Sequence, residues 1–254
     1  MDFIELSDQF QLSTFNWILV LLAVFIVGLA KAGIKGVGVV IVTIFAIVFD
    51  GKASTGILLP MFTVGDIFAI WYYNKHTQWK YLWRLLPWMV IGVLLGVYIG
   101  KDLPEVIFKQ GMAVLIITTV LMMFWWDRQK NIKIPTNPLI GVFTGIMAGF
   151  TSMVGNLAGA FTNIYFLSMR LPKEQFLGTA AWLFFFINLF KIPFHIFVWK
   201  TVSPETIALN IRLLPGIFLG LFVGVNLVKI IKDHQYRKLI LILTAVGAVV
   251  MLFR

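Results

Sequence analysis

Lys31-Ala-Gly-Ile-Lys-Gly-Val-Gly38 puts two cations and three glycines into one eight-residue run. The run lies between two strongly apolar segments, 17–30 and 39–48. Neither flank reaches the ~20 residues needed to cross about 30 Å of hydrocarbon. Glycine lets the chain leave helical geometry and lets backbone amides approach a ligand closely. A helix broken here would offer unpaired amides and two ammonium groups to an anion. The competing reading is a short turn between two helices, with both lysines in water.

A second patch of the same kind is Thr151-Ser-Met-Val-Gly-Asn-Leu-Ala-Gly159, set between the apolar segments 138–152 and 157–169. Here Thr151, Ser152 and Asn156 supply neutral donors, and Gly155 and Gly159 allow close approach of the backbone. If both helices break, several helix N-termini direct their positive ends at one cavity, which suits an oxyanion. The candidate substrate-binding residues are therefore Lys31, Gly33, Lys35, Gly36, Gly38, Thr151, Ser152, Gly155, Asn156 and Gly159. Against this stands a purely structural use of the small residues, at helix crossings.

Asp66 falls deep within an apolar segment, where an ionisable group costs about 2.5–3.5 kcal/mol on insertion scales and so needs a partner or a task. Pairing with Lys31 or Lys35, or uptake of a proton during transport, would supply one. A position nearer the membrane surface, or a role in locking helices, is the plain alternative. Asn188 is its counterpart in the second half of the chain. Lys191 and His195, spaced i and i+4 around Pro193, share a helix face and form the other deep polar cluster. His195 reads as a packing group or a proton relay, and Lys191 as a core cation or a snorkelling one. Arg84 and Arg212 each precede a Leu-Leu-Pro and read chiefly as anchors of helix ends.

The elements that must hold these residues are membrane helices. Of the 254 residues 60% are hydrophobic, and mean hydropathy is +0.93. Soluble domains sit near 45–50% apolar. The reading is an all-α polytopic membrane protein with little soluble mass. Its apolar segments run at about 15–30, 37–49, 53–73, 82–100, 104–126, 138–152, 157–169, 176–199, 206–231 and 235–253. Without cysteine, disulfides and thiolate metal sites are excluded. The acidic start, Met1 to Asp8, lacks the basic region of a signal peptide, so the first segment is expected to remain in the mature chain. The net charge of +10 is carried mainly by short loops, so it reads as a topology signal and no nucleic-acid partner is expected. Glycines four apart (Gly92, Gly96, Gly100; Gly216, Gly220, Gly224; Gly141, Gly145, Gly149) form helix-packing grooves. Trp71 to Tyr73, Trp79, Trp83, Trp125, Trp126 and Trp199 read as interfacial belts.

The chain repeats itself. Arg84-Leu-Leu-Pro87 recurs as Arg212-Leu-Leu-Pro215, and Gly92, Gly96 and Lys101 recur at the same offset as Gly220, Gly224 and Lys229. At a slightly smaller offset, Gly33, Gly56 and Asp66 match Gly155, Gly178 and Asn188. This divides the chain into an N-terminal repeat at 1–126, a cytoplasmic linker at 127–137 and a C-terminal repeat at 138–254. Each half has about four to five apolar segments with a broken or re-entrant helix pair. An odd number of crossings per half gives an inverted-topology repeat. An outside N-terminus puts Lys75, Lys80, Arg84, Arg128, Lys130, Lys133, Arg170, Lys173, Lys229, Lys232, Arg237 and Lys238 inside. Only Lys52, Lys101, Lys109, Lys200, Arg212 and Arg254 then lie outside, as the positive-inside rule asks.

Two halves that each open on a glycine-rich break resemble the sulfite exporter family, TauE/SafE, over essentially the whole chain. The family's glycine-rich patch falls on Gly33, Gly36 and Gly38 and on Gly155 and Gly159, although Lys35 and Val37 interrupt the denser run usual there. The resemblance implies a multi-pass transporter of the cell inner (plasma) membrane that exports small sulfur-containing anions such as sulfite, sulfonates or related organosulfur acids. Alternating access at a midplane site is the expected mechanism, with protons as a candidate coupling ion, no cofactor and no metal. A homodimer is open. An anion channel, an importer of another small oxyanion, and a membrane subunit of a larger complex are the alternatives. An enzyme is disfavoured: His-Glu-x-x-His and Gly-x-Ser-x-Gly are absent, and His76, His195 and His234 are scattered.

Overall fold

The computed structural model describes residues 10, 12–34, 36–128, 138–169 and 171–230. The described residues are helical, without strands. The helices are α1 (Thr14–Ala32), α2 (Gly38–Phe49), α3 (Gly51–Tyr73), α4 (Trp79–Gly100), α5 (Glu105–Arg128), α6 (Pro138–Gly155), α7 (Ala158–Ser168), α8 (Lys173–Pro193) and α9 (Pro204–Ile230). Helix is the only open solution for such apolar runs, because hydrocarbon offers the backbone no hydrogen-bond partner. Among the described residues five spans are long and apolar enough to cross a membrane: Thr14–Ala32, Gly51–His76, Trp79–Gly100, Lys173–Val198 and Pro204–Ile230. The last expected segment, 235–253, and most of the expected linker lie outside the described residues, while α5 continues to Arg128.

Two helices are much shorter than the rest. Helix α2 has 12 residues and α7 has 11, so at 1.5 Å per residue they extend only about 17–18 Å. Each follows a break at one of the two glycine-rich patches. Helix α1 begins at Ser13, whose hydroxyl accepts from the Asn16 amide at 3.2 Å. It ends at Gly33, where φ is 123°. The Ile34 amide closes the end by donating to Leu29 O at 3.0 Å. Gly36, at φ 98°, turns the chain into α2, and a side chain at either position would be strained. In the second break the left-handed residue is Asn156, with φ 54°.

Three helix pairs build the core, namely α4 against α6, α9 against α1, and α3 against α8. The closeness of the first two pairs comes from the glycine stripes. A Cβ on Gly92 would overlap the Ile146 carbonyl of α6, and one on Gly149 would overlap Met89 O of α4. The α1–α9 pair is built likewise, with Gly28 against Ile217 O and Gly220 against Phe25 O.

Two aromatic residues expected in the interfacial belt are internal instead. Tyr73 is buried and donates to Ala32 O at 2.7 Å. Trp199 is buried against Phe108 and His195, because the chain turns inward after a π-helical stretch, Phe194–Val198. Trp71, Trp79 and Trp83 are exposed, as a belt requires. Arg84 and Arg212 lie within α4 and α9 rather than at their ends, since Pro87 and Pro215 are carried inside those helices.

Candidate functional site

The two breaks face one another across a cavity of about 100 Å³. That exceeds the ~10–15 Å³ needed for one water on the same measure, so a few waters or one small oxyanion fit. Its polar wall consists of Lys31, Ser152, Asn156, Asn163 and Asn188. Apolar residues, among them Ile34, Val39, Leu157, Phe62 and Phe184, make the remainder. The first turns of both short helices border it, through Gly38 and Val39 of α2 and Ala158, Gly159 and Ala160 of α7.

Helix α2 has no side-chain cap. Its first helical bonds are donated by Val40 and Ile41 to Val37 O, so the amides of Gly38 and Val39 precede them. A Cβ built on Gly38 or on Gly159 meets nothing within 4 Å. These glycines are not needed for helix packing. What they keep clear is space at the two helix starts.

Lys31, in the last turn of α1, donates from Nζ to Asp66 Oδ1 at 2.6 Å. The other carboxylate oxygen accepts from Asn188 Nδ2 at 2.7 Å. The Lys31 ammonium also lies over the rings of Phe62, at 4.7 Å, and Phe184, at 5.5 Å. Gly65 makes the approach possible: a Cβ there would come within 2.6 Å of Lys31 Cγ. Lys31 and Asp66 are both buried, so the solvated-turn reading does not hold for Lys31.

Lys191 is fully buried on α8. Its Nζ donates to Asn156 Oδ1 at 2.7 Å, Ser152 O at 2.9 Å and Ser152 Oγ at 3.1 Å. These acceptors are neutral, so Lys191 ties its charge to the second break from behind the cavity wall. Asn156 in turn donates to Thr55 O of α3 at 3.0 Å. One turn beyond Lys191, His195 Nδ1 is 2.8 Å from Thr201 Oγ1.

Of the residues expected to bind substrate, the cavity gathers Lys31, Gly36, Gly38, Ser152, Asn156 and Gly159. It does not include Gly33, which packs on Leu177 and Val228, or Gly155, which sits against Leu157. Thr151 turns back to Met147 O at 2.8 Å in its own helix. Lys35 lies outside the described residues. Asn188 reaches the cavity, whereas Asp66 and Lys191 stand one contact behind it and His195 further along α8. Sequence reasoning missed Asn163, a buried amide in the wall whose Oδ1 has no partner among the described residues. The one clue to it was a polar residue within the short apolar run of α7.

A chain whose described residues are helical, with five candidate spans among them and a charged cluster sealed between, is a multi-pass membrane protein. The family model described as Sulfite exporter TauE/SafE matches residues 20–251, and the chain belongs to that family. It is thus a membrane transporter and not an enzyme. No curated protein and no solved structure matches the chain.

Proposed function

We propose that this protein exports small sulfur-containing anions, sulfite or short organosulfonates, as a secondary transporter working by alternating access at the cavity between the two breaks. Family membership implies the substrate class. The observation that carries the site is the cavity itself, where two short helices start at unobstructed glycines beside the Lys31 ammonium. Oriented amides and a desolvated cation stabilise an oxyanion without reorganising. An inside-negative potential favours outward movement of anions by about 2.3 kcal/mol per charge per 100 mV, so efflux needs no nucleotide.

The same reading makes the chain an inverted repeat, 1–126 and 138–254, joined by a linker at 127–137. Packing supports it. Gly92 against Ile146 in α4–α6 corresponds to Gly220 against Phe25 in α9–α1, and Gly149 against Met89 corresponds to Gly28 against Ile217. Gly56 meets Thr201 O as Gly178 meets Tyr73 O. Asp66 and Asn188, the repeat mates, are bonded to each other, as expected of residues on a pseudo-two-fold axis at the membrane midplane. The N-terminus is outside the plasma membrane on this reading, and the two halves rock about the α3–α8 contact.

Proteoliposomes containing the purified chain test the function. Sulfite and a short sulfonate should show saturable flux that chloride does not share, accelerated by an imposed potential. Absence of flux for both sulfur anions, from folded protein, would refute the proposal.

A further inference from the structure

Among the described residues the buried charges around the cavity do not balance: Lys31 and Lys191 bring two positive charges, and only Asp66 opposes them there. Asp66 makes its ion pair with Lys31, at 2.6 Å. Among the described residues the hydrogen bonds of Lys191 go to the neutral oxygens of Ser152 and Asn156. Both of those residues line the cavity, so the charge of Lys191 is felt within it. His195, the other titratable group on this face of α8, bonds to Thr201 and stands beyond Lys191. In the wall itself, Asn163 presents a buried amide with an unpartnered Oδ1, which by rotation offers its NH₂ to an anion.

We propose that Asp66 sets the charge selectivity of this site: by cancelling one of the two buried lysines it leaves a single positive charge, and the anion accepted is singly charged. The inference rests on the anion-transporter reading and narrows it. A monoanion, such as a sulfonate or hydrogensulfite, brings the buried cluster to neutrality. A dianion would leave one uncompensated negative charge in a desolvated space, which is the costly case. Phe62, Phe184 and the aliphatic wall further favour an ion with one charged end and a short apolar remainder.

The test is calorimetric titration of the purified full chain with methanesulfonate and with sulfate at constant ionic strength. Wild type should bind methanesulfonate at least about tenfold more tightly than sulfate. Asp66→Asn should reverse the order, because two positive charges then stand uncompensated. Asn163→Asp, nearly isosteric and placed in the wall, should weaken methanesulfonate binding by about tenfold or more, and it keeps the test decisive if Asp66→Asn does not fold. Equal or tighter sulfate binding by wild type, a wild-type preference retained in folded Asp66→Asn, or unchanged methanesulfonate affinity in folded Asn163→Asp, overturns the charge rule alone. Failure of folded wild type to bind either anion overturns the transporter reading with it.

Discussion

The Lys31–Asp66 pair lends itself to a double-mutant cycle. Thirty-five residues separate the two in sequence, yet they meet at 2.6 Å with side-chain exposures of 10% and 1%. Removing one member of a buried pair leaves the other charge desolvated, at a cost of about 3–5 kcal/mol, whereas replacing both can be near neutral. Lys31→Met should be the costlier single change, because it takes from the Asp66 carboxylate the ammonium that pairs with it at 2.6 Å. In Asp66→Asn the new amide oxygen still accepts from Lys31, whose head still lies over Phe62 and Phe184, so its cost falls near the lower bound of about 3 kcal/mol. Independent sites would make the double variant lose about 6 kcal/mol or more; coupled ones should lose about 3 kcal/mol or less. Unfolding in mixed micelles, followed by tryptophan fluorescence, measures all four corners of the cycle. Additivity within about 0.5 kcal/mol would mean that the two groups do not depend on each other and would refute the reasoning.

Other perturbations separate packing from binding. Gly149→Ala puts a Cβ into the Met89 carbonyl and should cost about 1–3 kcal/mol, whereas Gly111→Ala, with nothing within 4 Å, should be neutral or stabilising by up to about 1 kcal/mol; equal melting temperatures for the two would contradict the packing. Gly38→Leu and Gly159→Leu enter open space at the cavity, so each should keep stability within about 1 kcal/mol while sulfonate flux falls. Unchanged flux in both would move the substrate elsewhere. Lys191→Met strips Asn156 Oδ1 of its donor and leaves Ser152 O with the Asn156 amide, at about 1–3 kcal/mol, and should abolish anion binding in protein that remains folded. Wild-type affinity in that variant would remove Lys191 from the site.

Apolar run length determined the helices, because hydrocarbon leaves the backbone no alternative, and the glycine-rich interruptions at 31–38 and 151–159 marked where two of them stop short. The ordered recurrence of Arg84-Leu-Leu-Pro87 and of the glycines anticipated which stripes carry close packing, since a position without a side chain is visible in any sequence. Partners were visible only as alternatives, Lys31 or Lys35 for Asp66, and not at all for Lys191. That Lys31 takes Asp66, that Lys191 bridges Ser152 and Asn156, and that Asp66 meets its own counterpart Asn188 depend on how α1, α3, α6 and α8 cross. No periodicity along one helix encodes that crossing. Tyr73 and Trp199 show the same limit, since an aromatic at a helix end faces lipid or protein according to where the next helix lies. Gly65 and Asn163 are ordinary letters in the sequence. They matter only because the fold brings a lysine stem against one and a cavity against the other.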